Sequence, residues 1–274
     1  MPKITIVTAT YNSAATLKQT IESVVNQTYQ DIEYIIIDGG STDGTVDIIK
    51  QYGNCISYWV SEPDHGIYDA FNKGIKAATG DYVCFIGSDD VLYSEGTLDE
   101  VALLLTDDID LLSGGIYAVD EEKCIERFSS GVFAANRNEY KGGMVPHQGM
   151  FVKTEVAQKY LFDCKYRIAA DYKFFLQCYL NDLLKCKFVD LPIAYFSSGG
   201  TCNMNGEKTE RENVAVEKEF GISNPARNRM KSRMQSMAIE VLGQIGLLKA
   251  VKTRLRGWVP HSCSWEHCRW CGRS

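Results

Sequence analysis

Four apolar runs rich in β-branched residues divide the first third of the chain, and each empties into a polar loop: Ile4 to Thr8, Ile32 to Asp38, Ile56 to Val60 and Tyr82 to Ile86. Short continuous runs of this kind read as strands covered on both faces. Between them the spacing turns helical. Leu17, Ile21, Val24 and Val25 share one face after a cap at Asn12 or Ser13, a short helix runs to about Tyr52, and another spans Gly66 to Ala78. Parallel strands need crossover segments, so this repeated βαβ order predicts an α/β fold with a doubly wound, mostly parallel central sheet flanked by helices. Every loop that follows a strand then opens on one edge of the sheet, where such folds gather their ligands. Those loops are Thr8 to Ser13, Asp38 to Thr45, Ser61 to Tyr68 and Ser88 to Asp90.

The fourth loop carries the sharpest chemistry. Its strand runs straight into Ser88-Asp89-Asp90, and adjacent carboxylates repel each other unless a cation or proton intervenes. A solvated turn or helix cap is the ordinary role for Ser and Asp, but four converging loops point to a divalent cation holding a phosphorylated ligand. Gly39, Gly40 and Gly44 permit close backbone approach, and free amides at helix starts favour phosphate. No G-x-G-x-x-G follows the first strand and no P-loop motif is present, which argues against a dinucleotide dehydrogenase and a P-loop NTPase.

At 274 residues the chain has room for one large domain, or one domain with an appendage. Its net charge of −6 is unevenly spread: from Pro225 onward ten Lys and Arg face two Glu. The acidic body argues against nucleic acid as a ligand, while the basic tail asks for an anionic surface. Seven of the ten cysteines are scattered through the body without regular spacing, and Met1 to Val7 enter a strand with no signal-peptide pattern. Both suit a reducing cytoplasm. No apolar run reaches the ~18 residues that a transmembrane helix requires.

Four segments in order carry a more specific likeness: Thr8-Ala9-Thr10-Tyr11-Asn12, Ile37-Asp38-Gly39-Gly40-Ser41-Thr42-Asp43-Gly44-Thr45, Glu62-Pro63-Asp64-His65-Gly66-Ile67-Tyr68-Asp69-Ala70-Phe71-Asn72-Lys73-Gly74, and Ser88-Asp89-Asp90. Across residues 3 to 200 the chain resembles the family 2 glycosyltransferases of the GT-A fold, most of all bacterial members that extend O-antigen and capsule polysaccharides. The resemblance implies inverting transfer of a sugar from a nucleotide diphosphate donor, with Mn²⁺ or Mg²⁺ on an Asp-x-Asp type motif. It assigns Asp90 to direct metal contact and Asp89 to metal, donor sugar or ribose. It assigns the donor to Thr8, Ala9, Thr10, Tyr11, Asn12, Asp38, Gly39, Asp69, Lys73 and Ser88. Two departures stand out. Relatives usually carry two consecutive Asp residues where this chain has Asp38-Gly39, the second of which meets the nucleobase. With UDP as the favoured carrier, base recognition falls to Asp38, to backbone of the Thr8 to Tyr11 loop, or elsewhere. Many relatives also carry Arg where Phe71 stands, leaving Lys73 or a later residue as the cation near the phosphates; the ordinary role of Lys73 is an exposed helix residue.

The second half is expected to build the acceptor side. Inverting transfer needs a base for the acceptor hydroxyl, and the family places an Asp well after the metal motif, at a helix start. Asp171 has that context, whereas Asp163 reads as a turn and Asp182 and Asp190 flank strand-like segments. His147 and Gln148 resemble a His-Gln step that lines the acceptor pocket of relatives. Gly199-Gly200-Thr201 suits a loop over the diphosphate or a plain turn, and the polar stretch from Asn203 to Glu219 suits a lid.

The chain divides into a catalytic domain over residues 1–220, split near 90 into nucleotide-sugar and acceptor halves, and a basic amphipathic tail over 221–274. From Ala226 to Trp258, Met230, Met234, Met237, Val241, Ile245, Leu248 and Leu255 share a helical face. Such a helix can lie on an anionic membrane, with Trp258, Trp265 and Trp270 at headgroup level, or pack on the catalytic domain or a second copy of the chain. Cys263, Cys268 and Cys271, with His261 or His267, are ligand types that suit zinc. The combined expectation is a peripheral enzyme on the inner face of the cytoplasmic membrane, acting on a polyprenyl-diphosphate-linked saccharide. A non-catalytic sugar-nucleotide-binding module and a sugar nucleotidyltransferase are the alternatives.

Overall fold

Successive strand residues point to opposite faces of a sheet, and here both faces are covered. Val7, Ile35, Ile37, Val83 and Phe85 pack into one buried cluster, while their neighbours Ile6, Tyr34, Ile36, Cys84 and Ile86 pack into another on the far side. That double burial is why these strands read as unbroken apolar runs. The computed structural model describes residues 1–120, 124–132, 144–197, 206–222, 257 and 259–261.

The first part of the chain runs β1 (Ile4–Thr10), α1 (Leu17–Val25), β2 (Ile32–Asp38), α2 (Thr45–Gln51), β3 (Tyr58–Ser61), α3 (Ile67–Ala77) and β4 (Tyr82–Gly87). Its strands lie parallel in the order β3-β2-β1-β4. The sheet therefore reverses its strand order beside β1, which places the loops after β1, β2, β3 and β4 around one crevice. At the other end of these strands, buried Glu33 ties the elements together. Its carboxylate accepts hydrogen bonds from the Thr5 hydroxyl at 2.7 Å, the Thr79 amide at 2.7 Å and the Thr79 hydroxyl at 2.5 Å.

The remaining elements are β5 (Val91–Leu92), α4 (Thr97–Leu104), β6 (Leu111–Asp120), β7 (Ile125–Ser129), the 3-10 turn His147–Gly149, β8 (Met150–Lys153), α5 (Thr154–Tyr160), α6 (Ala170–Tyr179), β9 (Cys186–Ser197), α7 (Gly206–Glu219) and β10 (Val259–Pro260). They extend the same sheet: β8 runs antiparallel to β4 and β6, and β9 runs parallel to β6. The mixed α/β architecture is the expected one. No helix among the described residues is long and apolar enough to cross a membrane.

Where β6 bulges at Gly114 and Gly115, three chain segments meet without side chains. A β-carbon on Gly131 or Gly149 would overlap the Gly114 backbone, and one on Gly114 would overlap Ile193. This glycine seam lets the 3-10 turn press against β6 and β4 and carry His147 and Gln148 to the crevice.

Helix α7 departs from the lid expected over Asn203 to Glu219. The Glu212 carboxylate accepts the Ile168 and Ala169 amides at 2.8 and 3.1 Å, just ahead of α6. Tyr166 and Lys173 both donate to Glu219, at 2.6 Å each. From Gly206 on, the segment is a clamp on α6. Part of the tail also joins the sheet, since β10 pairs with β7. His261 is buried, with Nδ1 bonded to Glu126 and its ring edge on Tyr195, so this imidazole is turned into the body. The expected helix over 226–258, Cys263, Cys268, Cys271 and Gly199-Gly200-Thr201 lie outside the described residues, apart from Gly257.

Candidate active site

A cleft of about 780 Å³ opens at the carboxyl ends of β1, β2 and β4 and is walled by the loop after β3. Of the residues expected at the donor, Ala9, Thr10, Tyr11, Gly39, Ser88 and Asp89 line it. The others sit behind it, each for a definite reason. Thr8 is fully buried with its hydroxyl 3.1 Å from the Tyr34 hydroxyl. Asn12 joins two loops: its amide donates to the Ser41 hydroxyl at 2.7 Å and its side chain accepts the Thr42 amide at 2.9 Å.

Asp38, a candidate for reading the base, faces inward. Its carboxylate is fully buried and accepts the Gly40 and Ser41 amides at 3.1 and 2.9 Å, together with the Ser61 and Ser41 hydroxyls at 2.6 and 2.5 Å. It shapes the loop over which a ligand would lie. Asp69 accepts the His65 amide at 3.1 Å and fixes the start of α3. Lys73 pairs with Glu62 at 2.8 Å and does not line the cleft. That pairing holds the Lys73 ammonium above its ordinary pKa.

Phe71 is a core residue, its ring centroid 5.1 Å from Phe85 and 5.6 Å from Phe162. The position therefore offers no place for a cation toward the cleft. Among the described residues, the Lys or Arg on the wall is Arg167, which also donates to the His65 carbonyl. Neither Arg167 nor Asp64, another wall residue, was singled out by sequence. Arg167, four positions before Asp171, falls under the later cation left open as the alternative to Lys73.

Behind Asp89 lies Asp90, 1% exposed. Its Oδ2 accepts the Gly87 amide at 2.7 Å and the Gln148 side-chain amide at 3.2 Å, while its Oδ1 is buried without a hydrogen-bond partner among the described residues. Burial, and then the charge of Asp89, push the Asp90 carboxyl well above the usual range, against the opposing pull of His147, the Gly87 amide and Gln148. A buried anionic oxygen with nothing to bond is costly, and a hard divalent cation would relieve it. The described residues hold no cluster of three or more ligating side chains. Mg²⁺-type sites commonly use one or two carboxylates and complete their shell with substrate phosphates and water, so Asp90 and Asp89 fit such a cation.

Gln148 leads on from Asp90 toward α6. In the same turn, His147 Nδ1 lies 3.0 Å from Asp171 Oδ2, and Asp171 Oδ1 accepts the Tyr172 amide at 2.8 Å. Asp171 is buried in the first turn of α6. Burial opposes the charged form of His147, but the bond to Asp171 and the charges of Asp171, Asp90 and Asp89 outweigh it and hold its pKa above the ordinary value. Asp90, Gln148, His147 and Asp171 thus form one line from the end of β4 to the start of α6.

Residues 5–161 match the model of the family described as Glycosyl transferase family 2. A PGL/p-HBAD biosynthesis glycosyltransferase of Mycobacterium tuberculosis is 29% identical over 228 residues, covering 81% of this chain and 87% of its own length. Among solved structures, a mannosyltransferase of Pyrobaculum calidifontis, in complex with GDP-Man and Mn²⁺, superposes with a TM-score of 0.62 at 15% identity, over 93% of this chain and 79% of its own. TarS of S. aureus superposes with a TM-score of 0.58 at 21% identity; the match covers 78% of this chain but only 39% of the TarS chain. The chain belongs to glycosyl transferase family 2 and is a glycosyltransferase of GT-A fold.

Proposed function

We propose that this glycosyltransferase is metal-dependent and inverting, and moves a sugar from a UDP-sugar to a polyprenyl-diphosphate-linked saccharide in surface polysaccharide synthesis. The reading is carried by the line from Asp90 through Gln148 and His147 to Asp171, which joins a leaving-group site to a base. Asp90, with Asp89, holds the Mn²⁺ or Mg²⁺. When bound, that ion supplies charge neutralisation for the departing nucleoside diphosphate. Thr10, Tyr11, Gly39 and Ser88 border the donor. Asp171 takes the proton of the acceptor hydroxyl as its oxygen attacks the anomeric carbon. Each oxygen of Asp171 accepts one protein hydrogen bond, and a carboxylate oxygen has a second lone pair for the hydroxyl. His147 fixes the orientation of that carboxylate. Support for the donor comes from TarS, a fragment of which is solved in complex with UDP, and from the mannosyltransferase, solved with GDP-Man and Mn²⁺.

In this reading residues 1–220 form the catalytic domain, and the basic stretch 221–274 brings it to the inner face of the cytoplasmic membrane, where a lipid-linked acceptor resides. The test is a donor screen with a polyprenyl-diphosphate-linked saccharide, with and without Mn²⁺, in which products are read by mass. Transfer should require the metal and release a nucleoside diphosphate, not pyrophosphate. Asp171→Asn should slow transfer by about 10²- to 10⁴-fold, the usual contribution of a general base, while donor binding is retained. Wild-type turnover in Asp171→Asn would place the base elsewhere.

A further inference from the structure

Gly39 has no backbone reason to be glycine. Its neighbour Gly40 has a φ of 85°, in the left-handed region, whereas Gly39 is not among the positive-φ residues. What excludes a side chain is Asp64: a β-carbon at position 39 would stand 2.7 Å from Asp64 Oδ2 and 3.1 Å from its Cγ. The loop after β3 thus lays a carboxylate into the space that a side chain on the loop after β2 would fill. Both residues line the cleft. Oδ1 of Asp64 is held by the Gly66 amide at 2.8 Å, which fixes the group and leaves Oδ2 as the atom nearest Gly39.

The surroundings suit a flat heterocycle. Tyr11, 63% exposed, and Pro63 stand on the same wall. Among the described residues, Asp64 and Asp89 are the two carboxylates lining the cleft. The loop beneath Asp64 follows β2 and Asp89 follows β4, two strand spacings or roughly 10 Å apart in the sheet. A nucleoside diphosphate with its phosphates at Asp89 and Asp90 has its base toward Asp64. Asp38, the acid at the end of β2, has its carboxylate engaged by Gly40, Ser41 and Ser61.

We infer that Asp64 is the base-reading residue, accepting a hydrogen bond from a ring N–H of the donor's nucleobase. This rests on the donor site proposed above. An ionised carboxylate only accepts, so the site selects bases that present an N–H there, such as the uracil imide or guanine N1–H. It rejects cytosine and adenine, whose corresponding ring nitrogens are acceptors.

Binding of UDP, GDP, CDP and ADP to the full chain in Mn²⁺ is the test, measured by calorimetry. The wild type should favour UDP or GDP over both CDP and ADP by about tenfold or more. In Asp64→Asn the side-chain oxygen can keep the Gly66 amide while the NH₂ takes the place of Oδ2, so preference should move toward CDP and ADP with an unchanged melting temperature. Asp64→Gly should lose discrimination, and adding Gly39→Asp should restore it from the opposite loop. If the wild type discriminates and both Asp64 variants keep its ratios, the assignment to Asp64 is overturned while the donor site stands. If the wild type binds none of the four nucleotides, the donor site falls and this inference falls with it.

Discussion

Replacing Glu33 by Gln should produce a stability loss that disappears in acid. Burial is the largest single influence on this carboxyl and pushes its pKa up. The Thr79 amide and hydroxyl, the Thr5 hydroxyl and Lys3 more than offset it and bring the value from 4.5 down to about 2. A carboxyl whose folded pKa is depressed contributes stability above its unfolded pKa, and that contribution is lost as pH falls through the folded value. A fall from 4.5 to about 2 corresponds to roughly 3 kcal/mol at neutral pH, a large share of the ~5–15 kcal/mol that holds a domain together. Most of it belongs to the threonine bonds, because the Lys3 side chain is 38% exposed and such pairs are well screened. Urea unfolding of the wild type and Glu33→Gln should differ by about 2–3 kcal/mol at pH 7, with the gap closing from pH 4.5 toward pH 2. A gap that stays constant with pH, or is absent at pH 7, would refute the hydrogen-bond account of this residue.

Phe71→Arg should destabilise the chain by several kcal/mol, since it places a guanidinium among Phe85, Phe162 and Tyr68. Thermal unfolding would show the drop, and a variant that melts as the wild type does would mean that the position opens to the cleft. Arg167→Ala should weaken UDP binding about tenfold, whereas Lys73→Ala should leave it within twofold, because Arg167 lines the cleft and Lys73 faces Glu62. Calorimetric titration of both variants checks the contrast, and the opposite order would return the phosphate-binding role to Lys73.

What could be read from the sequence was whatever depends on period and order. β2 matches its expected span of Ile32 to Asp38, and α3 begins within one residue of its expected start, because unbroken apolar runs and helical spacing are local signals. The carboxylates after β4 were legible for the same reason. Side-chain direction was not. Asp38 ends β2 and Asp69 and Lys73 lie on α3, beside the cleft, but loop amides and a neighbouring glutamate claim them. The relation between Gly39 and Asp64 stayed hidden because it joins loops 25 positions apart in the sequence, and only the pairing of β2 with β3 brings them together. Glu212 reads as one more charge in a polar stretch until α7 is seen at the start of α6.

The glycine seam at Gly114, Gly131 and Gly149 divides the molecule into parts that can and cannot vary. Contacts between side chains can be adjusted by exchanging one shape for another, but backbone pressed on backbone has no smaller version. The spacing between the Ser88–Asp90 loop and the His147 turn is therefore set by a joint in which a β-carbon on any of the three glycines would overlap a neighbour. Tyr11, Asp64 and Arg167 stand on loops that line the cleft and take no part in that joint. Those loops can change their side chains freely, while the distance from the Ser88–Asp90 loop to the His147 turn stays fixed.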